Sequence, residues 1–587
     1  MMSFKNKPLS LQILIKVYGV CVLSLCCLLI FNGVKVEGFK NHRLPPKASQ
    51  PYRSAYHFQP LKNWMNDPNG PMYYKGVYHF FYQYNPYGPL WGNMSWGHAI
   101  SYDLVNWVQL DVALIPNDPY DINGCFSGSA TILPNGEPAI LYTGVDANSH
   151  QVQNLAFPKN KSDPLLNEWV KSSVNPILSP PDGVDPSMYR DPSTGWMGPD
   201  GEWRIVIGGQ LDHQSGSAIL YKSKDFKTWS RSPSPLHFSN KTTMWECPDF
   251  YPVVVNGKNG LDTSVRGKNI RHVLKASFNN QDCYVLGNYD PKTDQYHVDV
   301  DFMDRKGSLM YDYGRFYASK SFYDGGKKRR IVWSWVNEGD TESDAINKGW
   351  SGLQTIPRSI WLSENGEQLV QWPVKELEKL RKQKVQFENK ELKGRSMIEI
   401  SGITASQADV EITFSLSNLK HAELLSSDQV IDPQILCKQK NASMNGKFGP
   451  FGLLVLASND LAEHTAVFFR VFKTSKRYQV LMCADQSRSS LRPKVDKSIY
   501  GAFLALDPRH ANISLKTLID HSIVESFGGG GLACITARVY PKLAVEEQAH
   551  LYAFNNGTQS LSISSLSAWS MNKARIVSIR RRRKPIR

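Results

Sequence analysis

The chain has 587 residues, too long for one small domain at about 100–200 residues each, and 41% hydrophobic against 21% charged residues excludes wholesale disorder. Its 15 Trp, 26 Tyr, 25 Phe, 42 Gly and 34 Pro favour short strands and tight turns over long helices. The formal charge of +15 points to acidic partners and is unevenly placed, with +3 on residues 1–38 and +6 on residues 580–587. A tail reading Arg-Arg-Arg-Arg-Lys-Pro-Ile-Arg is first a solvated end, because like charges repel, and second a tether to a polyanion.

In chain order, the first element is an export signal. Lys5, Lys7 and Lys16 precede Val17–Phe31, an uncharged and mostly apolar run shorter than the about 20 residues of a bilayer span. This predicts a signal peptide over residues 1–38, with an uncleaved anchor as the alternative. No second apolar run approaches spanning length, so no membrane association is expected after cleavage, and export makes nucleic acid a poor partner. Sequons agree with the secretory route: glycosylation is expected at Asn160, Asn240, Asn441, Asn512 and Asn556, and Asn93 is left open. Cys21, Cys26 and Cys27 leave with the signal. Among Cys125, Cys247, Cys283, Cys437, Cys483 and Cys534, no Cys-x-x-Cys pair or His cluster suggests zinc. One bridge is expected in an oxidising compartment, between Cys437 and Cys483, which share the C-terminal region; the sequence does not fix the pairing.

A weak repeat follows. Ser101-x-Asp103-x-x-x-Trp107 recurs as Ser223-x-Asp225-x-x-x-Trp229, and Asn66-Asp67-Pro68 is echoed by Arg190-Asp191-Pro192 at nearly the same offset. Half that offset, about 60 residues, suits a four-stranded propeller blade. Five blades would fill residues 50–372. Met72–Tyr84 reads as a hairpin about Lys75-Gly76, and residues 204–209 and 330–335 read as short buried strands. Pro373 then opens a segment with Val374, Leu377 and Leu380 spaced three apart among charges, which predicts a helical linker over 373–389. Beyond it, alternation in residues 408–414, 466–471 and 521–527 predicts a β-sandwich over 390–578, with the basic tail at 579–587. The expected fold class is all-β, a five-bladed propeller followed by a C-terminal sandwich.

Three acids stand in unusual surroundings: Asp67 in Trp64-Met65-Asn66-Asp67-Pro68-Asn69-Gly70, Asp191 in Tyr189-Arg190-Asp191-Pro192, and Glu246 in Met244-Trp245-Glu246-Cys247-Pro248. Taken singly, Asn-Asp-Pro-Asn-Gly is a turn, Arg190-Asp191 an ion pair and Glu246 an acid beside a core Trp. Jointly they read otherwise. A propeller gathers loops from separate blades at one end of its axis, and two carboxyls flanking a bond among aromatics is the arrangement of a glycoside hydrolase.

These motifs, with Trp91-Gly92-Asn93, Phe126-Ser127-Gly128-Ser129-Ala130 and Asp520–Phe527, resemble the plant acid invertases and fructan exohydrolases of glycoside hydrolase family 32 over nearly the whole mature chain. The resemblance implies a retaining β-fructosidase without metal or other cofactor. It implies Asp67 as nucleophile, Glu246 as acid/base and Asp191 as transition-state stabiliser. It further implies substrate contacts from Trp64, Asn66, Gln83, Trp91, Phe126, Ser127, Arg190 and Cys247. Members that cut sucrose well carry an Asp, with a Lys three residues on, after the strand resembling His272–Lys275. Here the stretch Ala276–Tyr284 is short and lacks the Lys, and Asp282 could substitute only if the loop were rerouted. Phe126 stands where Trp is commoner. The expected activity is therefore fructan exohydrolysis, β-2,1 or β-2,6. A cell-wall invertase is the alternative, and an inactive fructoside-binding or regulatory protein the alternative of another class. Pro248 resembles the cell-wall branch, which implies the apoplast and ionic attachment to acidic wall polysaccharide, with the vacuole as alternative.

Overall fold

The computed structural model describes residues 50–212, 215–303, 309–425, 432–475 and 477–578; the expected signal segment and basic tail lie outside these. Lys75 and Gly76 take left-handed backbone (φ 46° and 84°) and turn the chain, so that Asn63–Tyr74 pairs antiparallel with Val77–Asn85 as the hairpin pattern predicts. Ser95–Ser101 and Trp107–Gln109 complete this first blade. Four more sheets repeat the plan, and their innermost strands begin at Cys125, Val184, Glu246 and Tyr317. Trp350–Ser351 joins the first blade in parallel while Leu353–Gln354 pairs with the fifth, which closes the ring.

The sequence repeat is a blade corner. In Ser101–Trp107 the Ser101 hydroxyl and Asp103 carboxylate accept the amides of Leu104, Val105 and Asn106, and Leu104 is left-handed at φ 63°. Ser223–Trp229 does the same, with Phe226 at φ 64°. Both corners follow the third strand of a blade, two blades apart.

The segment expected as a helix over 373–389 differs. Lys375–Leu380 is a 3-10 helix, and Arg381–Leu392 is a strand paired with Leu561–Met571. The physical reason lies in the period. Val374, Leu377 and Leu380, three apart and all buried, fit the 3.0-residue turn of a 3-10 helix, whereas Val385 and Phe387 alternate with exposed neighbours as a strand does. The strands of the sandwich thus begin at Arg381. Among the described residues the α-helices are Glu342–Lys348 and Pro433–Gln439, seven residues each. Two six-stranded sheets, one of them joined at its side by Glu423–Leu424, enclose a core that includes Val410, Phe451, Phe469, Ile519 and Ile563. Cys437 and Cys483 are bonded, tying Pro433–Gln439 to the strand Tyr478–Asp485.

A buried polar seam joins propeller to sandwich. The Asp520 carboxylate accepts the amides of Ala55, Tyr56 and His57. The His57 ring lies 2.8 Å from Asp520 and 2.9 Å from Glu525, and Glu525 in turn receives Arg358 of the fifth blade. No helix among the described residues is long and apolar enough to cross a membrane.

Candidate active site

Each innermost strand delivers residues to one end of the propeller axis, four of them from near their start and the third from its end. The first strand brings Asn66 and Asp67, the second Phe126 and Ser127, the third Arg190 and Asp191, the fourth Glu246 and Cys247, and the fifth Tyr317. Four of these strands lose register against their neighbours at this point, between Met65 and Pro68, Cys125 and Gly128, Glu246 and Asp249, and Tyr317 and Lys320. Such bulges add a residue to one strand and re-aim its side chains. Asp191 (φ 68°), Cys247 (φ 47°) and Ala318 (φ 57°) hold left-handed backbone, strained for residues bearing a Cβ. Asn66-Asp67-Pro68-Asn69-Gly70 is accordingly an irregular strand and not a turn.

The result is a funnel of about 330 Å3 lined by Asn66, Asp67, Gln83, Trp91, Phe126, Ser127, Arg190, Asp191 and Glu246, all named from the sequence. Met94, Gln151, Tyr317 and Trp335 also line it and were not. Trp64 and Cys247 stand behind the wall. Trp64 donates its indole N–H to Asn66 Oδ1 (2.7 Å), and its ring lies 5.9 Å from that of Trp335. The Cys247 amide donates to Asp191 Oδ2 (2.9 Å), and its thiol lies 3.6 Å from Asp67 Oδ2 and 3.5 Å from Asp191 Oδ2. One sulfur therefore spans two of the three carboxylates.

The Ser127 hydroxyl donates to Asp67 Oδ2 (2.6 Å) and the Asn66 amide to Asp67 Oδ1 (3.0 Å). Burial, then the Asp191 charge, pushes the Asp67 carboxyl up to about 7, with Glu246 adding to the push and Ser127 and Asn66 opposing it. Burial also raises Asp191, against the pull of Arg190. Glu246 is held on both oxygens: Arg190 donates to Oε1 and the Tyr317 hydroxyl to Oε2. Arg190 is steadied by Gln151, whose Oε1 accepts its guanidinium (3.2 Å) and the Tyr189 amide (3.0 Å).

Positive charge compensates the acids from below. Lys320, buried, donates to Ser129 Oγ (3.1 Å) and the Pro248 carbonyl (3.3 Å), and Ser129 donates to the Pro192 carbonyl (2.8 Å). One ammonium thereby links the second, third, fourth and fifth blades next to the residues that carry the carboxylates. Lys275, also buried, donates to the Cys247 and Ser319 carbonyls.

The stretch Ala276–Tyr284 is a tight hairpin. Asn279 and Asn280 (φ 51° and 59°) turn Ile270–Phe278 directly into Gln281–Asp290. Asp282 is fully buried and accepts the Ser277 hydroxyl (2.6 Å) and the amides of Ala318 (3.1 Å) and Ser319 (2.7 Å). It is a support for the fifth blade's bulge and lines no part of the funnel.

Three carboxyls, an aromatic wall and amide and guanidinium donors around a small opening suit a polyhydroxylated ring with a bond to be cut at its exposed end. Comparison with known proteins agrees. The glycosyl hydrolases family 32 N-terminal domain matches residues 57–373 and the family 32 C-terminal domain residues 376–570. The chain is 55% identical over 540 residues to the insoluble isoenzyme CWINV3 of β-fructofuranosidase from Arabidopsis thaliana, covering 90% of this chain and 91% of that protein. It is 54% identical over 533 residues to a fructan 6-exohydrolase from Beta vulgaris, covering 90% and 88%. The crystal structure of fructan 1-exohydrolase IIa from Cichorium intybus matches with a TM-score of 0.89 at 56% identity, over 91% of this chain and 100% of that one. The propeller and the sandwich are those of glycosyl hydrolase family 32, and the chain belongs to that family.

Proposed function

We propose that this protein is an exported, retaining β-fructosidase that removes terminal fructosyl units from fructans, with sucrose the poorer substrate. In this reading Asp67 attacks the anomeric carbon while Glu246 protonates the departing oxygen, so one C–O bond breaks as another forms to the enzyme. Water then displaces Asp67, with Glu246 taking its proton, and free fructose leaves with its configuration retained. Asp191 and Arg190 hold ring hydroxyls while positive charge develops. Attack needs Asp67 ionised, which the Ser127 and Asn66 hydrogen bonds favour against the push of burial.

The observation that carries the preference for fructans is Asp282, turned away from the funnel under the bulge at Ala318. Without a carboxylate on the glucose half, the lost contact is worth about 1.5–3 kcal/mol, roughly ten- to a hundredfold in specificity. The names of relatives of both kinds keep sucrose hydrolysis as the second reading. Incubation with sucrose, inulin and levan while fructose is measured separates them: faster release from a polymer is expected. Equal release from sucrose would establish the invertase, and no release from any donor a binding protein. The apoplast, and ionic retention on acidic wall polysaccharide through the chain's basic balance, belong to the same proposal.

A further inference from the structure

We infer that Asn93 carries an N-linked glycan at the rim of the funnel and that this glycan limits the length of fructan the site accepts. The inference rests on the reading of the funnel given above. Asn93-Met94-Ser95 is a sequon in the loop between Val77–Asn85 and Ser95–Ser101, at the funnel end of the first blade. Its neighbours Trp91 and Met94 both line the cavity, and no other sequon stands between two lining residues. Asn93 is exposed, takes the left-handed backbone that Asn tolerates (φ 49°), and its side chain has no hydrogen-bond partner among the described residues. Asn556 differs: it is half-buried and its amide nitrogen donates to the Ala442 carbonyl (3.1 Å). The Cys437–Cys483 bridge places folding in an oxidising compartment, where such modification occurs.

The physical consequence follows from size. A polymer with its terminal fructose at Asp67 must trail far more of its chain over the rim of a cavity of about 330 Å3 than a short donor does. Trp91, 61% exposed and edge-on to Phe126, forms that rim beside Asn93. A hydrated, mobile glycan there hinders a long trailing chain more than a trisaccharide.

The test uses the full chain secreted from a eukaryotic host. Mass spectrometry of the peptide holding Asn93 is expected to show attached hexose and N-acetylhexosamine. Asn93→Gln and Ser95→Ala, which remove the sequon in different ways, are expected to raise kcat/KM on long inulin and levan by about three- to tenfold, with less than about a twofold change on a fructan trisaccharide. Endoglycosidase trimming of the folded wild-type protein should reproduce the gain without any substitution. An unmodified Asn93, or an unchanged polymer-to-trisaccharide ratio in both variants and the trimmed protein, would overturn the inference. Absence of fructose from every donor would instead overturn the reading of the funnel itself.

Discussion

Asp67 shows what the chemistry demands of one side chain. Its carboxyl is pushed up to about 7 by burial and by Asp191, against an ordinary 3.8. Between those values the folded chain binds more protons than the unfolded one, so this group's contribution to stability falls as pH rises. Replacing it removes the penalty. Asp67→Asn is expected to abolish turnover, by about 10^4-fold or more, yet to raise the thermal midpoint at pH 7 by about 1–3 °C. That gain should vanish below about pH 4, where both forms of the wild-type carboxyl are protonated. Melting curves at both pH values check the sign. Asp67, Asp191 and Glu246 were legible because unusual neighbours flank them. Tyr317 and Gln151 were not, since a Tyr or Gln at the end of a strand carries no local mark of its task. The innermost strands begin at residues 63, 125, 184 and 246, which calls for a fifth near 307, and Tyr317 opens it ten residues later.

The working element is the bulged start of four of the five innermost strands. A bulge held by side chains is only as stiff as its supports, and Asp282 is the support for the fifth. Asp282→Ala leaves the Ala318 and Ser319 amides unanswered and Lys275 without the carboxylate 3.6 Å away. A loss of about 3 kcal/mol in stability and at least about tenfold in kcat is expected as Tyr317 loosens its hold on Glu246. The ratio of fructan to sucrose activity should stay unchanged, because Asp282 does not face substrate. A selective collapse on sucrose would show that it does. The expected helix over 373–389 failed at this scale because spacing by three satisfies α and 3-10 helices alike. What decides is the pairing of Arg381–Leu392 with Leu561–Met571, nearly two hundred residues on.

Across the whole molecule, propeller and sandwich are joined by charge as well as by apolar contact. Burial works to strip the proton from His57, but Asp520 and Glu525 outweigh it and hold the ring above its ordinary 6.5. Both acids lie below their usual range: each is opposed by burial, Asp520 being pulled down by His57 and Glu525 by Arg358 and then His57. A raised histidine stabilises fully below 6.5, and that share is lost as pH climbs through the folded value. The carboxylates lose theirs as pH falls through their lowered values. The wild-type midpoint should therefore decline on the alkaline side. In His57→Gln it should start lower, by about 3 kcal/mol in stability, and lose that alkaline slope. Scanning calorimetry against pH distinguishes the two. The seam's members come from residues 57, 358, 520 and 525, and only Asp520–Phe527 stood out in the sequence.

By itself the sequence determined the class of the fold, marked out the three acids and the absence of the carboxylate–lysine couple near Asp282, and offered Cys437–Cys483 without fixing the pairing. These follow from local patterns: alternation, a repeated corner, rare residues beside an acid. Tertiary structure decided which residues share the funnel, that Trp64 and Cys247 stand behind its wall, that Asp282 faces inward, and that Asn93 stands on the rim. Such facts depend on strands about 60 residues apart meeting at an axis, and on bulges whose place is set by the pairing of each strand with the next in its blade.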